Sequence, residues 1–213
     1  NDNAGGDAAP ETGVIVKFDG ANWKDAIGRN WDALVPFSLP DHDVFSVNAN
    51  TLAKGTVFSS VGTMLFNMAI NPTSGKIYVT NTESPNHVRF EGPGVHGGST
   101  VQGRLSESRV TILDPSGGSQ DVQHLNSHIN YAALHTDPGA NHAAINGQIP
   151  HSLATPLQPT ISSDGETIYI PAFGSGKIGV FTRTELEDPA FETNFDPAAQ
   201  SSDYLATMGG GPS

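Results

Sequence analysis

The feature that most constrains the fold is an internal repeat. Ala69-Ile-Asn-Pro-Thr-Ser-Gly-Lys-Ile-Tyr-Val-Thr-Asn81 recurs as Thr160-Ile-Ser-Ser-Asp-Gly-Glu-Thr-Ile-Tyr-Ile-Pro-Ala172. Each copy sets an Ile eight residues before a Tyr, with a Gly-containing turn between them. Gly, Asn, Asp and Ser take turn dihedrals and β-branched residues flank them, so each copy reads as strand, tight turn, strand. A third strand of alternating pattern follows, Val110-Thr-Ile112 and Ile178-Gly-Val180, and Val44-Phe-Ser-Val47 is an earlier copy of it. A fourth strand is expected near 56–61, 122–129 and 204–208.

Four short antiparallel strands in repetition are the unit of a β-propeller blade. Tyr78 and Tyr169 lie 91 residues apart, too far for one blade. Without two Gly/Pro/His-rich insertions, at 84–107 and 130–152, about 44 residues remain, close to the 40–45 of a propeller repeat. The expected class is all-β, with about two and a half four-stranded blades. Residues 1–42 read as a loop or insertion region, and 43–75, 76–163 and 164–213 as successive blade segments. Closing a propeller takes typically about four to eight blades. The expectation is therefore a part of a larger propeller, the remainder lying in the same or another chain. A small self-sufficient β-sandwich also suits short strands at regular spacing.

Tyr78-Val79-Thr80-Asn81 spells the YVTN signature, and with the hairpin and third strand in register the chain resembles a YVTN-type, lactonase-like bacterial β-propeller over roughly residues 44–213. The resemblance implies an exported protein. It also implies that a companion segment can carry a cytochrome c domain, since some larger relatives do.

Charge narrows the partners. Ten Lys and Arg face 22 Asp and Glu, a formal net charge of −12, which disfavours nucleic acid and anionic membrane. With no Cys, the chain holds no disulfide, zinc-thiolate site, Cys-ligated cluster or covalent c-type haem. No apolar run approaches the roughly 18 residues of a membrane-spanning helix. The chain opens on Asn1 without a leader-like pattern, so any targeting signal is expected to be removed or to lie outside these residues. An acidic, Cys-free, Gly/Pro-rich composition suits a periplasmic or extracellular protein.

Connections in a blade alternate between the two ends of the sheet. The links at 1–42, 84–107 and 130–152 therefore emerge on one face, whereas the turns at 71–75 and 162–165 on the other are minimal. Long loops on a rigid scaffold are where binding usually resides. The histidines follow them: His87 and His96 in one insertion, His135, His142 and His151 in the next. His42 opens a third strand, His128 closes a fourth strand on the same side, and His124 is expected to sit lower.

Imidazole ligates late first-row metals, so these histidines, with Asp41 and Asp43 in the Asp41-His42-Asp43 run, are candidate ligands for a divalent metal, Ca²⁺ or a transition ion. Glu91 and Asp137 are further oxygen donors. A non-covalent axial contact to a haem is a second possibility for the same residues. Solvated or hydrogen-bonded loop histidines are the bland alternative. His124 and His128 on one strand would stand about 13 Å apart, too far for a shared ion.

Other motifs fail on inspection. Gly174-Ser-Gly-Lys177 lacks the Gly and the Ser or Thr that a phosphate loop needs, with Pro171 and Ile178 in those places. No Gly-x-Ser-x-Gly elbow and no His-Glu-x-x-His pair is present. Trp23, Trp31, Phe18 and Phe37 are expected to form a small satellite core. Glu185, Glu187 and Asp188 are expected on a solvated outer loop.

Three functional readings follow. The first is a non-catalytic extracytoplasmic scaffold whose His-rich face binds a partner protein, a metal or a redox cofactor. The second, implied by the resemblance, is a lactone hydrolase with an axial pocket lined by His, Glu, Asp and Arg; Arg89, Glu91, Arg104 and Glu107 are the nearest residues of those types, and they do not align with a family catalytic set. The third is a surface or adhesion module.

Overall fold

The computed structural model describes residues 16–25, 28–35, 42–84, 106–129 and 151–193, and the backbone of 205–207. The described chain is all-β and antiparallel, with one short helical turn, α1 (Arg183–Leu186), and two turns of 3₁₀ helix. Among the described residues no helix is long and apolar enough to cross a membrane.

The first of two units is described chiefly in its N-terminal part. Its hairpin joins β1 (Lys17–Phe18) to β2 (Trp23–Lys24). Asp19 Oδ1 accepts the N–H groups of Ala21 and Asn22 and so makes the turn. Those two N–H groups and Lys24 hold its carboxyl down to about 2. The rings of Phe18 and Trp23 meet at 5.3 Å, and Arg29 lies over Trp31 at 5.5 Å. Buried Asp25 takes the indole N–H of Trp31 and both the backbone and the side chain of Arg29. Of the aromatics expected to form a satellite core, Phe18 and Trp23 make a ring contact but Phe18 is exposed, Trp31 packs with Arg29, and Phe37 lies outside the described residues.

The second unit carries the repeat. A two-stranded sheet, β3 (Val44–Val47) with β4 (Lys54–Phe58), comes first. Next is a four-stranded meander of β5 (Met64–Ile70), β6 (Ile77–Glu83), β7 (Glu107–Leu113) and β8 (Gln120–His124), paired in that order. A second meander follows, of β9 (Thr160–Ile161), β10 (Thr167–Ala172), β11 (Lys177–Thr182) and β12 (Leu205–Thr207). These are half a blade and two whole ones. β5 pairs with β6, so the 64–70 strand belongs with the middle sheet and not with the sheet before it.

Alternation along β6 explains the packing. Ile77 and Val79 point to one face, where with Leu113 they meet Val44, Phe58 and Val61 of the half-sheet. Tyr78 points to the other face, where with Val110 and Ile112 it meets Ile168, Ile170, Ala172 and Phe181 of the last sheet. Because both faces of the middle sheet are covered, its inner strands are almost wholly buried. Two buried threonines there find carbonyl acceptors. Thr80 Oγ1 donates to the Asn67 carbonyl, and Thr111 Oγ1 to that of Val61.

Polar pins fix the middle and last sheets in register. Asn71 Nδ2 donates to the Gly165 carbonyl, and Gln123 Nε2 to the carbonyls of Leu186 and Asp188. The Tyr78 hydroxyl donates to Glu187, whose other oxygen takes Lys76 Nζ at 2.7 Å. Glu187 is thus a bridge between sheets, which corrects the expectation of a solvated acidic loop for that residue. Glu185 instead closes a reciprocal cap with Thr182 at the start of α1.

Burial first, and then the bond to Glu187, push the Tyr78 phenol above its ordinary value near 10. The unfolded chain loses this proton near pH 10 and the folded chain keeps it. The contribution is therefore complete below pH 10 and declines as pH rises past it. Tyr78→Phe should cost about 1.5–3 kcal/mol at pH 7, because a carboxylate loses a buried donor. It should also flatten the fall in stability between pH 9 and 11. Denaturant unfolding of both proteins across that range checks both expectations.

Candidate functional site

The described flanks of the two insertions lie at one end of the middle sheet. Glu83 and Glu107, which bracket the first insertion, are register partners. β8 finishes at the same end, with His124 opposite Arg109. The other end closes tightly, Asn71 Oδ1 accepting the N–H of Thr73 and Ser74, and Asp114 Oδ1 those of Ser116 and Gly117. Those bonds, with the Ser116 hydroxyl foremost, lower the Asp114 carboxyl. In the last sheet the corresponding inner link is only the 3₁₀ turn Phe173–Ser175 and Gly176.

Arg109 is the centre of the first root. It is the one charged side chain inside an otherwise apolar and hydroxylic run, Ser108 to Leu113. A guanidinium there must find acceptors. Its Nε donates to Asn81 Oδ1 at 3.2 Å, and its Nη2 to the Val61 carbonyl and to Glu83, both at 3.1 Å. One side chain therefore joins the link between β4 and β5 to β6 and β7. Beside it, His124 Nδ1 accepts the Asn126 N–H, which directs Nε2 toward Glu107 at 3.7 Å.

The second root is built around Asn126. Its Oδ1 accepts the N–H of Leu153 at 2.7 Å and its Nδ2 donates to the Leu153 carbonyl at 3.0 Å. Ala154 N–H reaches Ser175 Oγ, and the Ala154 carbonyl accepts Gly174 N–H. Ser127 Oγ accepts the N–H of Thr193, and both the backbone N–H and Nδ1 of His128 meet Thr193 Oγ1, at 3.0 and 2.9 Å. A Ser–His–Thr contact of this kind has nucleophile geometry, but Thr193 is only 5% exposed, so it pins the chain and offers no attack path. Nearby, a cavity of about 360 Å³ is lined by Phe181, Phe191, Glu185, Asp188 and Thr193 among others. Glu185 is committed to the helix cap and Asp188 Oδ1 to Ala190 N–H.

The proposed ligands divide into two groups. His87, His96, His135, His142 and Asp41 lie outside the described residues, as do Arg89, Glu91 and Arg104. The described ones stand on separate tasks. Asp43 Oδ2 accepts the Val61 N–H at 2.7 Å, and exposed His42 sets its ring edge-on to Phe45. His128 binds Thr193, and His151 lies in the neighbourhood of Lys177. Among the described residues no three His, Asp or Glu side chains converge as a metal site. His128 does not close a fourth strand, because β8 stops at His124 and the chain turns over 125–128. The hydrogen bond from Asn126 to the His124 ring stabilises that turn.

Sequence reasoning passed over Arg109, Asn126 and Thr193. A lone charge inside a β-branched strand is the signal that would have found Arg109. Asn126 and Thr193 act through contacts distant in sequence and leave no local signature.

No protein-family model matches the chain, and no curated protein matches it. Among solved structures it is similar to hydrazine synthase of Kuenenia stuttgartiensis, at 15% identity and a TM-score of 0.41. That match covers 71% of this chain and 37% of the hydrazine synthase chain.

Two outcomes follow from this end of the fold. Arg109→Ala removes a largely buried guanidinium that bonds Asn81, Glu83 and the Val61 carbonyl together, and should cost about 2–4 kcal/mol in denaturant unfolding. Burial, and then the Lys177 charge, lower the His151 pKa from its usual place near 6.5. The unfolded chain then binds a proton that the folded chain refuses, so stability falls as pH drops below 6.5. Urea unfolding between pH 7.5 and 5 should show a shallower decline in His151→Gln.

Proposed function

We propose that this chain is a non-catalytic extracytoplasmic scaffold of propeller blades, whose insertion-bearing end holds a partner protein, a metal ion or a redox cofactor. The observation that carries this reading is the contrast between the two ends of the sheets. One end is closed by turns that satisfy their own backbone. The other spends Arg109, Asn126, His128 and Thr193 on anchoring the roots of long insertions. Rigid elements that position loops are the usual architecture of a binding face.

In this reading the histidines of the insertions, His87, His96, His135 and His142, supply borderline nitrogen donors, and Asp41 a hard oxygen. Asp43 and His128 hold backbone at the edges of that face, and His42 and His151 are further candidate donors beside it. A companion cytochrome c domain would be one partner suited to such a face.

The test replaces 85–105 and 130–150, separately, with short Gly/Ser linkers. Each variant should keep the far-ultraviolet signature of the sheets and a thermal midpoint within a few degrees of the parent. Titration with Zn²⁺, Cu²⁺, Ca²⁺ and haemin should show binding to the parent that is lost in one or both variants. Equal binding by parent and variants overturns the reading for metal and haem. A parent that binds none of the four restricts the function to a partner protein.

A further inference from the structure

The repeat places the same residues on the same side of both meanders. Tyr78 stands opposite Ile112, and Tyr169 opposite Val180. Thr80 stands opposite Val110, and Pro171 opposite Ile178. In the middle sheet this side is sealed: Tyr78, Val110 and Ile112 are at most 1% exposed, covered by the last sheet. In the last sheet its twin is open. Tyr169 is 40% exposed, and Pro171, Ile178 and Val180 are half-buried. The opposite side of the last sheet, with Ile168, Ile170 and Phe181, is already used against the middle sheet.

We infer that the Tyr169 side of the last sheet is a docking face for a further four-stranded antiparallel sheet of this repeat, one that carries a carboxylate just after its third strand and sets it on the Tyr169 hydroxyl. The inference rests on the blade reading proposed above and extends it to the chemistry of the neighbour. Its warrant is continuity with the interface between the middle and last sheets. There the occupant of a tyrosine-bearing side is a sheet whose β-branched and aromatic residues cover the ring. Its third strand is followed by α1 and then by Glu187, which accepts the phenol proton. A tyrosine hydroxyl taken out of water needs an acceptor, and a carboxylate is the stronger one.

The chain's own half-sheet is a poor occupant. It exposes Phe45 and Val47, but residues 48–53 after its third strand hold no Asp or Glu. A second copy docking head to tail through that half-sheet would cover the ring and leave its hydroxyl unmatched.

The test uses the whole chain extended at its C-terminus by a second copy of residues 151–213, the segment that already occupies the equivalent face. Nitration by tetranitromethane, read by mass spectrometry of peptides, reports exposure of each ring. In the unextended chain Tyr169 should be nitrated at least tenfold faster than Tyr78, at a rate independent of protein concentration. In the extended chain Tyr169 should be protected to within a few-fold of Tyr78, and Glu→Gln at the added copy of Glu187 should restore much of its reactivity. Protection that survives that Glu→Gln change overturns the carboxylate assignment. Protection of the unextended chain that grows with concentration overturns it in favour of a second copy.

A measurement that needs no added sheet guards against misfolding of the extension. Val180→Asp in the unextended chain should leave the thermal midpoint within a few degrees, whereas its twin Ile112→Asp should abolish cooperative unfolding. An equal loss from both substitutions would mean that the face is already covered within the chain, and the inference fails. None of these readouts involves the insertions, so the loop replacements and this test fail separately.

Discussion

The structure depends on one buried seam, where the Tyr78 side of the middle sheet meets the Ile168 side of the last one. Apolar burial supplies the driving force there, and it is non-directional. Two twisted sheets with β-branched faces can slide over one another at little cost. Direction comes from the polar groups set into the seam. The phenol of Tyr78 and the ammonium of Lys76 converge on Glu187, while Gln123 and Asn71 each reach a backbone carbonyl of the neighbouring sheet. A shift of one residue would strand several buried polar groups together, each costing on the order of 1–3 kcal/mol. The seam is therefore both adhesive and specific in register.

From that seam follows the division of labour between the two ends of the sheets. At one end short turns complete their own hydrogen bonds with Asn71 and Asp114, and little is left to recognise. At the other end the chain leaves the middle sheet for two long stretches, one ending at β7 of the same sheet and the other leading to the last sheet. Such departures are tolerated only if the backbone at their roots is held. Arg109 and Asn126 do this by bonding backbone groups that no ladder partner serves. The anchoring is local and does not depend on what the insertions carry.

Much of the fold is legible in the chain because a strand–turn–strand signature is short-range. The Ile-to-Tyr spacing, the Gly-bearing turns and the alternating third strands at 44–47, 110–112 and 178–180 all correspond to observed strands. The fourth strand of the middle sheet is shorter than its sequence suggests: β8 stops at His124, and Asn126 bonds back to that ring. The role of Glu187 is hidden from the sequence for a related reason. In a run of acids near a helix end, nothing local separates a solvated carboxylate from one aimed at a tyrosine 109 residues earlier. The candidate site was legible only as a face. That insertions share one end follows from strand alternation, whereas the work done there by Arg109, Asn126 and Thr193 does not.

What the sequence determined by itself, then, is the repeating unit: which residues are strands, where the turns fall, and which side chains share a side of each sheet. Those are consequences of backbone dihedral preference and a period of two, and both are written in neighbouring residues. Which sides are covered, and by what, is settled only once the sheets are assembled. Tyr78 and Tyr169 occupy the same place in the same motif, yet one is fully buried with its hydroxyl on a carboxylate and the other is 40% exposed. Their difference lies in the presence of a neighbouring sheet, and burial is a property of the neighbour as much as of the residue.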